Sequence, residues 1–315
     1  MSDQLKRTPL YAQHIAAGAK MVDFGGFEMP LKYTSETAEH MAVRTSVGMF
    51  DVSHMGEVFV EGPRALDAIA HLVTNDPAQI KDGQAMYAGM LNERGTFVDD
   101  VVVYRFNTSR FLVVVNAGNR DKDRGHIFAS INGAFGADTV ARDEGDRWAQ
   151  LAVQGPKAVD VVTRLCASSE LASTARALGN YWFTSGALKT NDGVVNNTII
   201  SRTGYTGEDG YEIYVEANNA PMVWDAVLAT GTDFGLVPCG LACRDTLRLE
   251  AGMCLYGNDI DEDHTPLEAN LGFIVKGSSF IGKPALDAQK AAGTRRLLRG
   301  LTVVDRGIAR HGYSV

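Results

Sequence analysis

The 315-residue sequence predicts an α+β protein in which two copies of one unit meet along a pseudo-two-fold seam around a central cleft. Three observations predict it. First, Val60-Glu-Gly-Pro-Arg-Ala-Leu-Asp-Ala-Ile returns as Val153-Gln-Gly-Pro-Lys-Ala-Val-Asp-Val-Val: a strand, a Gly-Pro helix start and a matching apolar stripe. Second, each copy is followed by the same order of elements. Val101 to Tyr104, Phe111 to Val115 and a helix near Asp121 follow the first; Thr198 to Ser201, Tyr211 to Val215 and a helix near Trp224 follow the second. Third, the text changes character after Lys276, where a helix over Phe280 to Gly293 and a strand over Leu297 to Val304 begin a further, β-rich unit with too few strands to close a sheet. The expected organisation is a core over 1–276, with repeats at roughly 50–140 and 141–275, and an incomplete C-terminal β domain over 277–315.

Taken in order, MSDQLKRTPLYAQH has no apolar segment after its basic pair, so no secretory signal is expected and the cytoplasm is the expected compartment. In MVDFGGFEMPLKY, Gly25-Gly26 and Pro30 break any regular element; the glycine pair is a plain loop or a close approach of backbone to a ligand. Ser35 caps a helix to Val47, with Glu36 and Glu39 in its first turn. Met49 to Val60 alternates toward strand, and Gly62-Pro63 opens a helix buried through Ala65, Leu66, Ile69 and Leu72. Asn92-Glu-Arg-Gly95 is a turn between two strands.

Composition narrows the function. With 45% hydrophobic and 22% charged residues and no apolar run long enough to cross a bilayer, no membrane partner is expected. The net charge of −8 and the absence of a basic tract argue against nucleic acid. Cys166, Cys239, Cys243 and Cys254 lack paired metal-ligand spacing, which predicts buried free thiols in a reducing compartment and no metal. A Ser/His/Asp constellation, a P-loop and a GxGxxG after a strand are all missing from the text, so neither flavin nor nucleotide is expected.

The chemistry-bearing candidates lie in a few runs. In the hairpin text RTGYTGEDGYEIY, Glu208 and Asp209 belong to the turn. Glu212 lies opposite apolar Tyr211, Ile213 and Val215, so its carboxylate must face solvent, a cation or a ligand. In PCGLACRDTLRLEAG a helix stripe of Leu241, Leu247 and Leu249 carries Arg244 and Arg248, arginines expected to be paired. Asp100 shares a face with Val102 and Tyr104, and is either a satisfied structural carboxylate or a site residue.

Together with DFGGFEMP, GMFDVSHMGEV, YAGMLNERG, VDDVVVYR, VVNAGNRDKD, LAVQGP, CRDTLRLEAGMCLYGNDIDED and TPLEANLGF, these runs resemble the folate-binding aminomethyltransferases, the T-protein family of the glycine cleavage system, from Thr8 to the end of the chain. The resemblance implies a duplicated folate-binding core and a β-barrel-like C-terminal domain. It also implies transfer of a one-carbon unit from the aminomethyl-lipoyl arm of a carrier, the H-protein, to tetrahydrofolate. Ammonia, 5,10-methylenetetrahydrofolate and the reduced arm are released, with tetrahydrofolate as co-substrate. Carried over by motif, Asp100 would stabilise the cation that forms as ammonia leaves, Glu212 would accept from the pterin edge, and Arg244 would orient a carboxylate. Met55, Tyr87, Tyr104, Val115 and Tyr205 would line the folate slot, with Asn116 as a polar contact.

The chain departs from the family at Thr96, where many relatives carry a second Gly. Relatives also continue past ARHGYSV, through a basic residue that contacts folate, whereas the last residue here is Val315. The folate domain of a dimethylglycine or sarcosine oxidising enzyme would need a flavin module. A non-catalytic folate-binding protein of the iron–sulfur maintenance type would carry a Lys-Gly-Cys motif where this chain has RTGYTGEDGYE.

Overall fold

The computed structural model describes residues 4–308 and 312–314. The first three residues, Ala309, Arg310 and His311 of ARHGYSV, and Val315 lie outside the described residues. After helix α1 (Tyr11–Ala16) the chain makes a two-stranded ribbon, β1 (Lys20–Phe24) and β2 (Phe27–Lys32), joined through Gly25 and Gly26 at φ 59° and 82°. Two successive left-handed residues match the strand twist, so the glycine pair turns a hairpin rather than ending regular structure. Pro30 sits inside β2, which corrects the expected break; a ribbon of two strands leaves an open edge where a missing N–H costs no ladder bond. The backbone also approaches closely here, since a Cβ on Gly25 would lie 3.1 Å from the Gly118 nitrogen.

Helix α2 (Glu36–Thr45) begins where Ser35 Oγ accepts from the Ala38 N–H at 3.2 Å. The predicted strand Met49 to Val60 is two strands: β3 (Val47–Asp51) and β4 (Gly56–Glu61), which enter different sheets. The first unit continues with α3 (Ala65–Leu72), β5 (Gln84–Leu91), β6 (Phe97–Asn107), β7 (Arg110–Val115), α4 (Arg120–Ile131) and β8 (Val140–Asp143). The second runs through β9 (Trp148–Gln154), α5 (Ala158–Leu165), α6 (Ser169–Ala177), β10 (Phe183–Thr190), β11 (Gly193–Ser201), β12 (Gly210–Glu216), α7 (Ala220–Gly231) and β13 (Leu236–Pro238).

The duplication is visible in the sheets. One has the order β5-β6-β7-β4-β8, the other β10-β11-β12-β9-β3-β13, and the first four strands correspond one to one. The Gly-Pro turns correspond too. Gly62 at φ 136° and Gly155 at φ 126° each occupy space a side chain cannot, since a Cβ would fall 2.3 Å from the Asp138 carbonyl or 2.6 Å from the Ser46 carbonyl. β3 breaks the symmetry, pairing with β9 and β13 of the second sheet although it precedes the first unit.

Alternation along each strand sorts the core into layers. Helices α3 and α4 cover one sheet through Ile69, Val113 and Ile127, and α5 and α7 cover the other through Val161, Ile213 and Trp224. Between the sheets, Phe59, Tyr104, Trp148, Phe183 and Tyr214 form a shared seam. Helix α8 (Leu241–Glu250) closes one end, and its stripe is narrower than expected: Leu247 is buried, whereas Leu249 is 63% exposed.

Beyond Lys276, helix α9 (Lys283–Ala292) docks Phe280 and Leu286 against Leu91, Phe97 and Ile260. The strand expected over Leu297 to Val304 is not formed; Val304 is 94% exposed, and among the described residues no neighbouring strand pairs with the segment. Apolar, β-branched text makes a strand only where a ladder partner takes its N–H and C=O groups. Thr96, the departure from the family, closes its turn by accepting from the Asn92 amide at 2.7 Å. Among the described residues no helix is long and apolar enough to cross a membrane.

Candidate active site

A cavity of about 1700 Å³ opens where the two units and α8 meet. Met55, Tyr87, Asp100, Asn116, Tyr205, Glu212 and Arg244 all border it, brought together from four separate stretches of sequence. Tyr104 and Val115 do not. Tyr104 is fully buried in the seam behind the wall, and Val115 faces the α3–α4 layer, so that its neighbour Val114 reaches the cavity instead. Strand alternation explains Val115, because register decides which of two adjacent valines faces the ligand side; Tyr104 shares the face of Asp100 and Val102 but lies further along β6, where the seam covers it.

One corner of the cavity is a cluster of acids. Asp100 on β6 is enclosed; its carboxylate accepts from Tyr87 Oη at 2.9 Å and from Asn116 Nδ2 at 2.9 Å. Burial first, then the neighbouring Asp99, pushes its carboxyl up to about 7, while the bonds from Tyr87 and Asn116 pull the other way. Asp99, turned to the opposite side of the strand and fully buried, accepts from Asn116 Nδ2 and Asn119 Nδ2 at 2.9 Å each and from the Asn116 N–H at 3.1 Å. Asn116, at the end of β7, therefore ties the two acids together.

The opposite wall is different. Glu212 on β12 accepts from Thr203 Oγ at 2.5 Å, and Thr203 joins a hydroxyl chain with Tyr104 and Tyr214, the latter accepting from Gln150 Nε2 at 3.0 Å. Tyr104 thus supports Glu212 from behind. Burial raises the Glu212 carboxyl, opposed by Thr203 and by the Arg244 charge. Arg244 lies with its guanidinium 4.9 Å from the Tyr205 ring centroid, and its burial lowers its affinity for the proton. The expected pairing of the two arginines holds only for Arg248, which donates to Asp245 at 2.8 Å and also to Asp259.

Three buried polar atoms on cavity-lining residues have no partner among the described residues: Arg244 Nη1, His54 Nδ1 and Gln150 Oε1. Buried polar groups are almost always satisfied, so these three atoms are available to water or to a polar ligand in the cavity. His54, neutral because burial brings it down to about 4, offers an acceptor or a donor there. Sequence reasoning missed His54, Gln150 and Tyr181. Tyr181 lines the cavity in the left-handed region at φ 61°, a conformation that costs about 1 kcal/mol and clusters at functional sites. Its text, NYWF, carries no signal of that strain. His54 lies in DVSHM, yet nothing in that run foretold a buried imidazole.

Outside the cavity, Glu39 lies within 4.8 Å of Cys239 and Cys243. Its oxygens are already occupied by the N–H groups of Tyr33, Thr34 and Gly240, so the cluster is a joint between α2 and α8.

Comparison with known proteins accounts for this arrangement. The family model described as GCVT N-terminal domain matches residues 10–279. The aminomethyltransferase of Desulfitobacterium hafniense is 48% identical over 312 residues, 98% of this chain and 82% of that one. That of Symbiobacterium thermophilum is 46% identical over 318 residues, covering 100% and 83%. Among solved structures, the glycine cleavage system aminomethyltransferase T from Bartonella henselae superposes with a TM-score of 0.81 at 35% identity, over 92% of this chain and 76% of that one. A two-unit fold around an acid-lined cavity, matched over almost its whole length, therefore belongs to the aminomethyltransferase (GCVT) family.

Proposed function

We propose that this chain moves a one-carbon unit from the aminomethyl-lipoyl arm of an H-protein to tetrahydrofolate, in the cytoplasm, releasing ammonia and 5,10-methylenetetrahydrofolate. The observation that carries the reading is Asp100: an enclosed carboxylate at the cavity wall, with two side-chain hydrogen-bond donors and, among the described residues, no cationic partner. Such a group has an unmet preference for positive charge. When ammonia leaves the aminomethyl carbon, the cation that develops is short-lived, and a carboxylate already fixed in a low-dielectric wall stabilises it without reorganising. A proton affinity near neutrality also suits Asp100 to holding or passing a proton during that departure.

The other wall binds. Glu212, an acceptor held by Thr203, fits the donor-rich edge of a pterin, and the unpartnered Arg244 Nη1, His54 Nδ1 and Gln150 Oε1 supply further polar contacts. Tyr87, Tyr181 and Tyr205 give the planar faces a bicyclic ring needs. Positioning of this kind is itself a large part of the rate, because two reactants held together forgo the entropy of encounter. Residues 1–276 are the unit we assign this work, with 277–315 as the start of a second domain.

The test is methylenetetrahydrofolate formation by the 315-residue chain given tetrahydrofolate and aminomethyl-loaded H-protein, with folate binding followed by calorimetry. Turnover together with saturable binding is the expected result. A chain that folds yet binds no tetrahydrofolate would overturn the reading.

A further inference from the structure

The polar groups on the inner face of the second sheet stand in a fixed order. Along β9, Ala149, Leu151 and Val153 face the helix layer, so Gln150 faces inward; along β12, Tyr211, Ile213 and Val215 do the same, so Glu212 and Tyr214 face inward with it. Register then sets Gln150 directly across from Tyr214. Tyr104 reaches the same line from β6 of the other unit, and Thr203 closes it just after β11. The result is a file of four contacts among residues no more than 8% exposed. Gln150 Nε2 lies 3.0 Å from Tyr214 Oη, Tyr214 Oη 3.0 Å from Tyr104 Oη, Tyr104 Oη 3.2 Å from Thr203 Oγ, and Thr203 Oγ 2.5 Å from the Glu212 carboxylate.

Each contact in such a file needs one proton. Thr203, Tyr104 and Tyr214 own one hydroxyl proton each and an ionised carboxylate owns none, so three hydroxyl protons face four contacts. The fourth must come from the Gln150 amide. The Thr203 proton goes to Glu212, the charged and nearer acceptor, rather than to Ser201 Oγ at 3.0 Å, which brings a hydroxyl proton of its own. One polarity then fills every contact: Gln150 donates to Tyr214, Tyr214 to Tyr104, Tyr104 to Thr203, and Thr203 to Glu212. With Nε2 held in this way, Oε1 is the end left over, buried, on a cavity-lining residue and without a donor among the described residues. A protonated Glu212 would supply the fourth proton itself and reverse the file, leaving Nε2 over instead.

We infer that Gln150 is a specificity-determining residue of the folate wall, its Oε1 joining the Glu212 carboxylate as a second acceptor for the exocyclic amine of the pterin, and that Tyr104 is the positioning residue that keeps this oxygen inward. An amine on a ring carbon beside a ring N–H offers several donors on one edge, which two acceptors on one wall can share. A ligand without the amine would leave a buried acceptor unmet, and that is how a polar site rejects a close analogue. The inference rests on the transfer reading for its ligand, whereas the turn of the amide is a property of the free protein. Tyr104 itself borders no part of the cavity.

Calorimetry with tetrahydrofolate and with its desamino analogue, in which hydrogen replaces the exocyclic amine, tests the acceptor. Gln150→Met keeps the length of the side chain and removes the oxygen. Affinity for tetrahydrofolate should fall about tenfold and that for the analogue less than about twofold, so discrimination between the two shrinks. Equal losses for both ligands would overturn the role of Gln150.

Tyr104→Phe tests the file. With that hydroxyl gone, the Tyr214 proton turns to Gln150 Oε1, the amide rolls over, and an NH2 group replaces the oxygen at the cavity wall. Tetrahydrofolate affinity should fall at least as far as in Gln150→Met, and the double variant should bind within about twofold of Gln150→Met, because both changes remove one feature. Additive losses would overturn the coupling. In the free, isotope-labelled protein, magnetic resonance reads the same file without ligand: the Gln150 amide proton held by Tyr214 should exchange slowly with water, and at least about tenfold faster in Tyr104→Phe. An unchanged exchange rate would overturn the file even if folate bound. A released amide in a chain that binds no tetrahydrofolate would uphold the file and overturn the transfer reading.

Discussion

The two walls of the cavity use the same side-chain chemistry to opposite ends. In the Asp100 corner two adjacent aspartates share amide and phenol donors, and burial together with the neighbouring Asp99 pushes the Asp100 carboxyl up to about 7. On the Glu212 wall a single carboxylate is backed by hydroxyls and faced by the Arg244 charge, which oppose the rise that burial imposes on it. The difference teaches that burial alone assigns no role. On the reading we propose, a carboxylate enclosed beside another acid acts on a transient cation, whereas one beside a cation and a hydroxyl chain recognises a neutral, donor-bearing ring.

The largest expected effect falls on the first corner. Asp100→Asn keeps the shape and removes the charge, so turnover should drop roughly a thousandfold while calorimetric tetrahydrofolate affinity stays within a few fold. Equal losses in both would erase the distinction between the walls. On the other wall Glu212→Gln should reverse the pattern, weakening tetrahydrofolate binding by about thirtyfold, near 2 kcal/mol, with a smaller change in turnover at saturation.

The contrast also has a signature in stability. Asp100 binds its proton more tightly folded than unfolded, its affinity being raised from 3.8 to about 7. Between those values the native state holds the proton that the unfolded chain has lost, so stability falls as pH rises through that window. Denaturant melts of wild type and Asp100→Asn should therefore diverge from about pH 4 to about pH 7 and run parallel above it, by on the order of 1–3 kcal/mol in favour of the variant at the upper end. Curves parallel throughout would mean that Asp100 is not held in a proton-retaining site. The smallest effect is expected from Thr203→Val, which takes one donor from Glu212: tetrahydrofolate affinity should weaken about fivefold, read by the same calorimetry, with turnover nearly unchanged.

Much of this was legible from residues alone. The repeat around Gly62-Pro63 and Gly155-Pro156 announced two equivalent units, because a strand, a turn and an apolar stripe in fixed order are local properties of the chain. Glu212 was marked by alternation, since Tyr211, Ile213 and Val215 claim the other face of β12. The Ser35 cap and the pairing of β11 with β12 followed from neighbours a few residues apart.

What only the tertiary structure decided depends on groups far apart in sequence. Tyr104 and Val115 looked like slot residues, yet the seam between the sheets takes one and the helix layer takes the other. Leu297 to Val304 reads as a strand, yet among the described residues it has no strand to pair with, and the chain between β3 and β4 crosses from one sheet to the other within a few residues. Above all, proton affinities belong to assemblies. Asp100 and Asp123 are ordinary aspartates in the sequence, and it is first the removal of water and then the acids brought beside them by the fold that push one carboxyl up to about 7 and the other up to about 11. Periodicity and turn chemistry act over a few residues and so are written in order along the chain, whereas desolvation and charge coupling act through space and exist only once the fold has closed.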